Sequence, residues 1–173
     1  HSNFFTNREK NGQKVFWSRG KGWVMAGLAR VLDGLPKDYP TRPKYVNQYK
    51  EMAARLASIQ SPDGLWRPGL LDAQAYDVPE ISGSGFFVYA LAWGVNQGIL
   101  DRKTYMPVIE AGWKGMLSHV YEDGRLGSIQ PIAGGPANFK PSTSYVYGVG
   151  AFLLAGSELH SLAAHSRQIN SLD

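Results

Sequence analysis

Asp63-Gly64 and Asp123-Gly124 stand 60 positions apart, and each closes one kind of helical pattern before a polar, Pro-containing loop leads into another kind. A fixed internal period means that one supersecondary unit is stacked on copies of itself, which leaves few folds open. Trp23 to Leu32, Phe86 to Val95 and Tyr145 to Ala155 are apolar on nearly every face, interrupted only by small residues such as Gly27, Gly94, Gly148 and Gly150. Helices of that composition are expected to be buried. Between them, Tyr45, Tyr49, Met52, Ala53, Leu56 and Ile59 recur at three and four residues, as do Tyr105, Ile109, Trp113, Met116, Leu117 and Val120. Those segments are one-sided and predict outer helices.

The alternation predicts an all-α, helical-hairpin repeat in which inner helices lie side by side and outer helices wrap behind them, as in an α/α toroid. At about 60 residues per hairpin, 173 residues make roughly three hairpins, about half of a six-hairpin ring, in a single segment spanning 1–173. A half-ring is an open arc. Its inner-helix flanks would expose apolar surface that calls for a covering partner, either the missing half or a second copy of the chain. The chain opens at His1 rather than Met, with a polar stretch from Asn7 to Lys14, so an upstream segment is expected.

Composition narrows the chemistry. The chain is 43% hydrophobic and 18% charged, enough for one packed core. It has no cysteine, and His1, His119, His160 and His165 show no ligand-like spacing, so no metal site is expected from composition. His160 and His165 are expected on the outside of a last helix. The net charge of +4 comes from eighteen Lys and Arg scattered among fourteen acids, with no basic run, which argues against nucleic acid as a partner. No stretch approaches the roughly 18 apolar residues that cross a bilayer, so no membrane partner is expected, and the compartment, cytoplasmic or periplasmic, stays open.

Three equivalent loops precede the three inner helices: Trp17-Ser18-Arg19-Gly20-Lys21-Gly22-Trp23, Ile81-Ser82-Gly83-Ser84-Gly85 and Pro141-Ser142-Thr143-Ser144. The repeat brings them to one end, where helix N-termini favour an anionic ligand. Only the first carries an Arg, whose guanidinium suits a carboxylate, and paired Trp side chains with flat faces for a sugar ring. A tight turn with core tryptophans and a solvated Arg fits the same spacing. Ser82, Ser84, Ser142 and Ser144 are expected chiefly as helix caps. Glu80 either accepts sugar hydroxyls or favours the helix start. Phe4 and Phe5 are expected beneath the first loop, and Tyr145, Tyr147 and Phe152 in the core.

Phe16-Trp17-Ser18-Arg19-Gly20-Lys21-Gly22-Trp23, Asp63-Gly64-Leu65-Trp66, Glu80-Ile81-Ser82-Gly83-Ser84-Gly85 and Gln130-Pro131-Ile132 resemble motifs of the unsaturated rhamnogalacturonyl hydrolases, glycoside hydrolase family 105, related to the unsaturated glucuronyl hydrolases. The resemblance runs from about residue 3 to residue 160 and covers the C-terminal half of that family, whose fold is an (α/α)6 barrel. It implies hydrolysis of oligosaccharides that end in a 4,5-unsaturated uronic acid, the products of pectin and rhamnogalacturonan lyases. In that mechanism an aspartic acid protonates C4 of the enol ether, water adds at C5, and the resulting hemiacetal rearranges to expel the neighbouring sugar.

The family's catalytic Asp belongs to its N-terminal half and has no counterpart here, since Asp63-Gly64 reads as a turn in register with Asp123-Gly124. No catalytic residue is therefore expected in the segment. The resemblance implies substrate binding by Arg19 at the uronate carboxylate and by Trp23 or Trp17 at the ring. Lys21 stands where the family commonly has Asn and would add charge complementary to an anionic sugar; Gln130 lies in a loop that borders the cleft, His1 falls near a contact position, and no metal or redox cofactor is implied. A non-catalytic half-barrel that binds acidic sugars or assembles with itself is the alternative.

Overall fold

The computed structural model describes residues 6–170, with side chains through residue 164. Five α-helices follow one another: α1 Ser18–Gly34, α2 Arg42–Ser58, α3 Ile81–Asn96, α4 Arg102–Leu117 and α5 Val146–Asn170. No strand forms among the described residues, which hold only isolated bridges such as Trp17 with Gly69. The helical-hairpin repeat is present. α3 packs between α1 and α5, while α2 and α4 lie behind α1 and α3 as the outer layer.

The 60-residue period is reproduced bond for bond. Gly64 N–H donates to Ser61 O at 2.8 Å and Ser61 N–H to Leu65 O at 3.0 Å; Gly124 donates to Tyr121 O at 2.8 Å and Tyr121 to Arg125 O at 2.9 Å. The Asp63 and Asp123 carboxylates accept from the backbone N–H two residues on. Gly64 and Gly124 have φ of 82° and 80°, the left-handed region that a side chain disfavours, so the Asp-Gly pairs are turns built alike.

Of the three helices expected to be buried, only α3 is buried almost throughout, from Ile81 to Val95. On α1, Trp23 is 57% exposed, with Val24 and Val31 beside it, and on α5 Leu153 is 63% exposed. These residues recur at helical spacing on one side of each helix. α1 and α5 are the two ends of an arc, and their all-round apolar composition leaves one face of each uncovered by described residues. His160 is exposed on α5, as its position implied; Phe4, Phe5 and the His165 side chain lie outside the described residues.

Small residues set the approach of α1 to α3. A Cβ on Gly83 would lie 2.7 Å from Ser18 Oγ, 2.8 Å from Ser18 C and 2.9 Å from Arg19 N, so the two helix starts pass nearly backbone to backbone. One capping expectation is corrected here. Glu80, not a serine, caps α3, accepting from Ser82 N and Gly83 N. The Ser82 hydroxyl donates to the same carboxylate, and Ser84 Oγ accepts from Trp66 N. The longer carboxylate reaches both free N–H groups from outside the helix, and the serines, already within its first turn, turn their hydroxyls to neighbours.

Gly83→Ala should cost about 1–3 kcal/mol of unfolding free energy, because rigid backbone must move to admit the methyl. Gly34→Ala, with nothing within 4 Å of the added carbon, should be neutral or gain up to about 1 kcal/mol. Urea midpoints of the two variants check the contrast.

Candidate functional site

The N-termini of α1, α3 and α5 converge on the loop that carries Gln130, and Arg19 is buried where they meet. Arg19 is 4% exposed. Its Nη1 donates to Gln130 O at 2.5 Å and its Nη2 to Pro131 O at 2.7 Å. The Trp17 ring lies 4.5 Å from its Cζ on one side and the Tyr147 ring 4.8 Å on the other, while Glu80 Oε1 stands 4.0 Å away. A guanidinium loses its hydration at such a site, and two carbonyls, two aromatic faces and a carboxylate offset that loss.

Gln130 connects these groups. Its backbone N–H donates to Glu80 Oε1 at 3.1 Å, and its carbonyl accepts from both Arg19 and the Tyr147 hydroxyl, the latter at 2.7 Å. Its side chain accepts from Trp17 Nε1 at 3.0 Å and donates to Gly135 O at 2.8 Å. Burial raises the Tyr147 phenol above its ordinary value against the lowering influence of Arg19, which keeps the hydroxyl a donor. Glu80 is fully buried and accepts from Ser82, Gly83 and Gln130. Arg19, Trp17, Glu80 and Gln130 are thus one hydrogen-bonded unit, with the Arg19 guanidinium engaged by the protein's own carbonyls.

Ser128 shapes that loop from behind. Its φ of 53° is left-handed, a cost for a residue with a Cβ. The conformation is held by Ser128 N–H to Pro141 O at 2.7 Å, Ile81 N–H to Ser128 O at 2.9 Å, and a 2.9 Å bond between Ser128 Oγ and His119 Nδ1. Burial lowers the His119 pKa, with Arg67 acting in the same direction and Asp63 against it.

Beside this unit opens a groove of about 1010 Å³, lined among others by Lys14, Phe16, Trp17, Gly20 and Lys21, and flanked by Gly134 to Pro136. Lys21 Nζ lies 4.9 Å from the Phe16 ring. The groove therefore sets the Lys21 ammonium against an aromatic face, with Arg8 and Lys14 also lining it, an arrangement suited to an anionic sugar. Trp23 stands apart, on the uncovered side of α1, tilted against Phe86 with ring centroids 4.5 Å apart. A smaller cavity of about 590 Å³ lies between Asn11, Arg55 and Asp72 and holds none of the expected residues. His1 lies outside the described residues, and no group of three or more potential metal ligands occurs among those described.

Two participants were not legible in advance. Tyr147, expected as core, stacks on Arg19 and also lies parallel to Tyr145 at 5.4 Å. Lys14 belongs to a polar hairpin without periodicity, and only the pairing of the 16–18 and 68–70 segments carries it to the groove.

A profile of Glycosyl Hydrolase Family 88 matches residues 1–163. The chain is similar to the unsaturated 3S-rhamnoglycuronyl hydrolase of Formosa agariphila, with 48% identity over 155 residues, 90% of this chain and 41% of the relative. It superposes on a family 88 glycosyl hydrolase from Bacteroides vulgatus with TM-score 0.83 and 36% identity, covering 88% of this chain and 45% of that one. A protein named as a polysaccharide lyase matches with TM-score 0.86 and 41% identity, over 92% of this chain and 46% of that one. Glycoside hydrolases of family 105 share the arrangement. The chain spans less than half the length of these relatives.

Arg19→Met should remove about 3 kcal/mol of stability by leaving the Pro131 carbonyl without a donor, the Gln130 carbonyl with Tyr147 alone and the buried Glu80 without its cation, and Arg19→Lys should not restore it, since one ammonium lacks the planar fork. Urea denaturation gives both values. The depressed His119 pKa stabilises the fold above the unfolded value of 6.5, and that contribution is lost as pH falls, because the unfolded chain takes the proton first. Denaturation midpoints measured from about pH 7.5 down to about pH 5 should fall less steeply in His119→Asn.

Proposed function

Since the chain belongs to Glycosyl Hydrolase Family 88, we propose that it is the substrate-binding part of a hydrolase acting on oligosaccharides that end in a 4,5-unsaturated uronic acid. The observation that carries this reading is the groove, where Lys14 and Lys21 stand beside Trp17 and Phe16 at the start of α1. An unsaturated uronate is flat around its double bond and carries one carboxylate, so it calls for an aromatic face and positive charge at close range. The names of the relatives support the same substrate class.

Within this reading Trp17 stacks on the uronate ring and Lys21 pairs with its carboxylate. Arg19, expected as a direct clamp, contributes positive potential from beneath, and with Glu80 and Gln130 holds Trp17 in place. Preorganised charge of this kind needs no rearrangement when the ligand arrives. Trp23 contacts substrate at the side of α1 that the rest of the protein would face. The chemistry is protonation at C4 of the enol ether, addition of water at C5, and rearrangement of the hemiacetal with departure of the aglycone. Glu80 is fully buried beneath its own donors and does not serve as the proton donor; in this reading the acid is the Asp that the resembled family carries in its N-terminal half, outside this segment. That part also covers the apolar flanks of α1 and α5.

Incubation of the full-length protein with an unsaturated uronyl disaccharide should abolish the ultraviolet absorbance of the double bond, while the 173 residues alone should leave it unchanged. Turnover by the segment alone would place the acid within it. Lys21→Ala and Trp17→Ala should each raise KM about tenfold, the scale of one charge-assisted contact or one aromatic face. An unaltered KM in both variants would remove the groove from the reading.

A further inference from the structure

Trp17, the aromatic face of the groove, hangs on Gln130, and the direction of Gln130 is decided two residues earlier. Ser128 is fully buried, and its φ of 53° lies in the left-handed region that a residue with a Cβ disfavours. Its backbone is fixed on both sides, by Ser128 N–H to Pro141 O at 2.7 Å and by Ile81 N–H to Ser128 O at 2.9 Å. Beyond it Thr143 Oγ1 donates to Ile129 O at 2.7 Å, and the next amide, Gln130 N–H, donates to Glu80. A short tether therefore runs from Ser128 to the atoms that hold Trp17 Nε1 and Arg19.

The Ser128 hydroxyl is the part of this turn that backbone pairing leaves over. Closed off from water, it has two acceptors within reach: His119 Nδ1 at 2.9 Å, and Pro141 O at 3.4 Å, which already takes the Ser128 N–H. The imidazole is the nearer. Burial lowers the His119 pKa, which keeps the ring neutral in the neutral range and its Nδ1 lone pair available. His119 stands just past the end of α4, in the outer layer, and neither it nor Ser128 lines the groove. A glycine would take this φ unaided but would leave neighbouring conformations open, whereas a serine held by its hydroxyl is confined to one. We propose that His119 is a positioning residue for the groove: by accepting the Ser128 hydroxyl it fixes the turn that aims Gln130 at Trp17 and Arg19. This rests on the substrate class proposed above only for its kinetic readout.

The test is a double-mutant cycle in the full-length protein. His119→Phe keeps a ring but removes the acceptor, and it should raise KM for an unsaturated uronyl disaccharide about fivefold, the scale of one hydrogen bond, with kcat unchanged. His119→Asn, whose amide oxygen falls near the place of Nδ1, should keep KM close to that of the unaltered protein. In the Ser128→Gly background the hydroxyl is gone, so His119→Phe should change KM no further. An equal rise of KM in both backgrounds, or a loss of kcat with KM unchanged, would overturn the positioning role and leave His119 a structural group. Should His119→Phe fail to fold, His119→Gln, whose acceptor falls near the place of Nε2, takes its part in the same cycle. The Trp17 indole N–H resonance, identified by its loss in Trp17→Phe, reads the cycle without substrate: it should move with His119→Phe in the serine background and stay in the glycine one. If the unaltered protein does not turn over the disaccharide, the substrate class falls, and that resonance alone decides the positioning.

Discussion

A guanidinium with almost no access to water sits where three inner helices begin, and the surrounding structure is arranged to make that tolerable. Arg19 needs acceptors in the plane of its fork and polarisable faces above and below it. The Gln130 and Pro131 carbonyls supply the first, and Trp17 and Tyr147 the second. Those carbonyls face inward because the loop turns through a left-handed serine, and Glu80 fixes the next amide along. Arg19 therefore ties α1 to the loop before α5, and Glu80 ties the same loop to α3. The cost of burying one cation is spread over three elements distant in sequence.

Packing and site formation share this origin. Backbone-to-backbone approach at Gly83 and Ser18 brings the starts of α1 and α3 together, which lets Glu80 lie within hydrogen-bond reach of Ser18, Ser82 and Gln130 at once. The rigid unit then presents Trp17 on the wall of a groove whose far wall comes from the 6–14 hairpin. Arg8, Lys14 and Lys21 line that groove together with the buried Glu9.

The uncovered flanks have a different cause. Along α3 every face meets another helix, whereas α1 and α5 each lack a neighbour on one side. In a ring, each inner helix would have two inner neighbours. The segment spans under half the length of its relatives, and its end helices carry the composition of ring members while standing at the edges of an arc.

Periodicity alone determined the architecture: a 60-residue recurrence of Asp-Gly turns and the contrast between all-round and one-sided apolar helices specify a helical-hairpin arc, since both follow from local geometry repeated along the chain. The motif around Arg19 and Trp17 was equally visible, as were Glu80 and Gln130 as neighbours of the cleft. Tertiary structure decided what those residues do. Whether an Arg points at solvent or at two carbonyls depends on Gln130 and Pro131, more than a hundred positions away, and no local pattern encodes that distance. The same holds for Tyr147, whose helical spacing is that of a core residue, and for Glu9, which lies in a polar hairpin and becomes part of a groove only through the pairing of residues 16–18 with 68–70. Local sequence carries propensity and period; the environment of a charge is set by whatever the fold brings beside it.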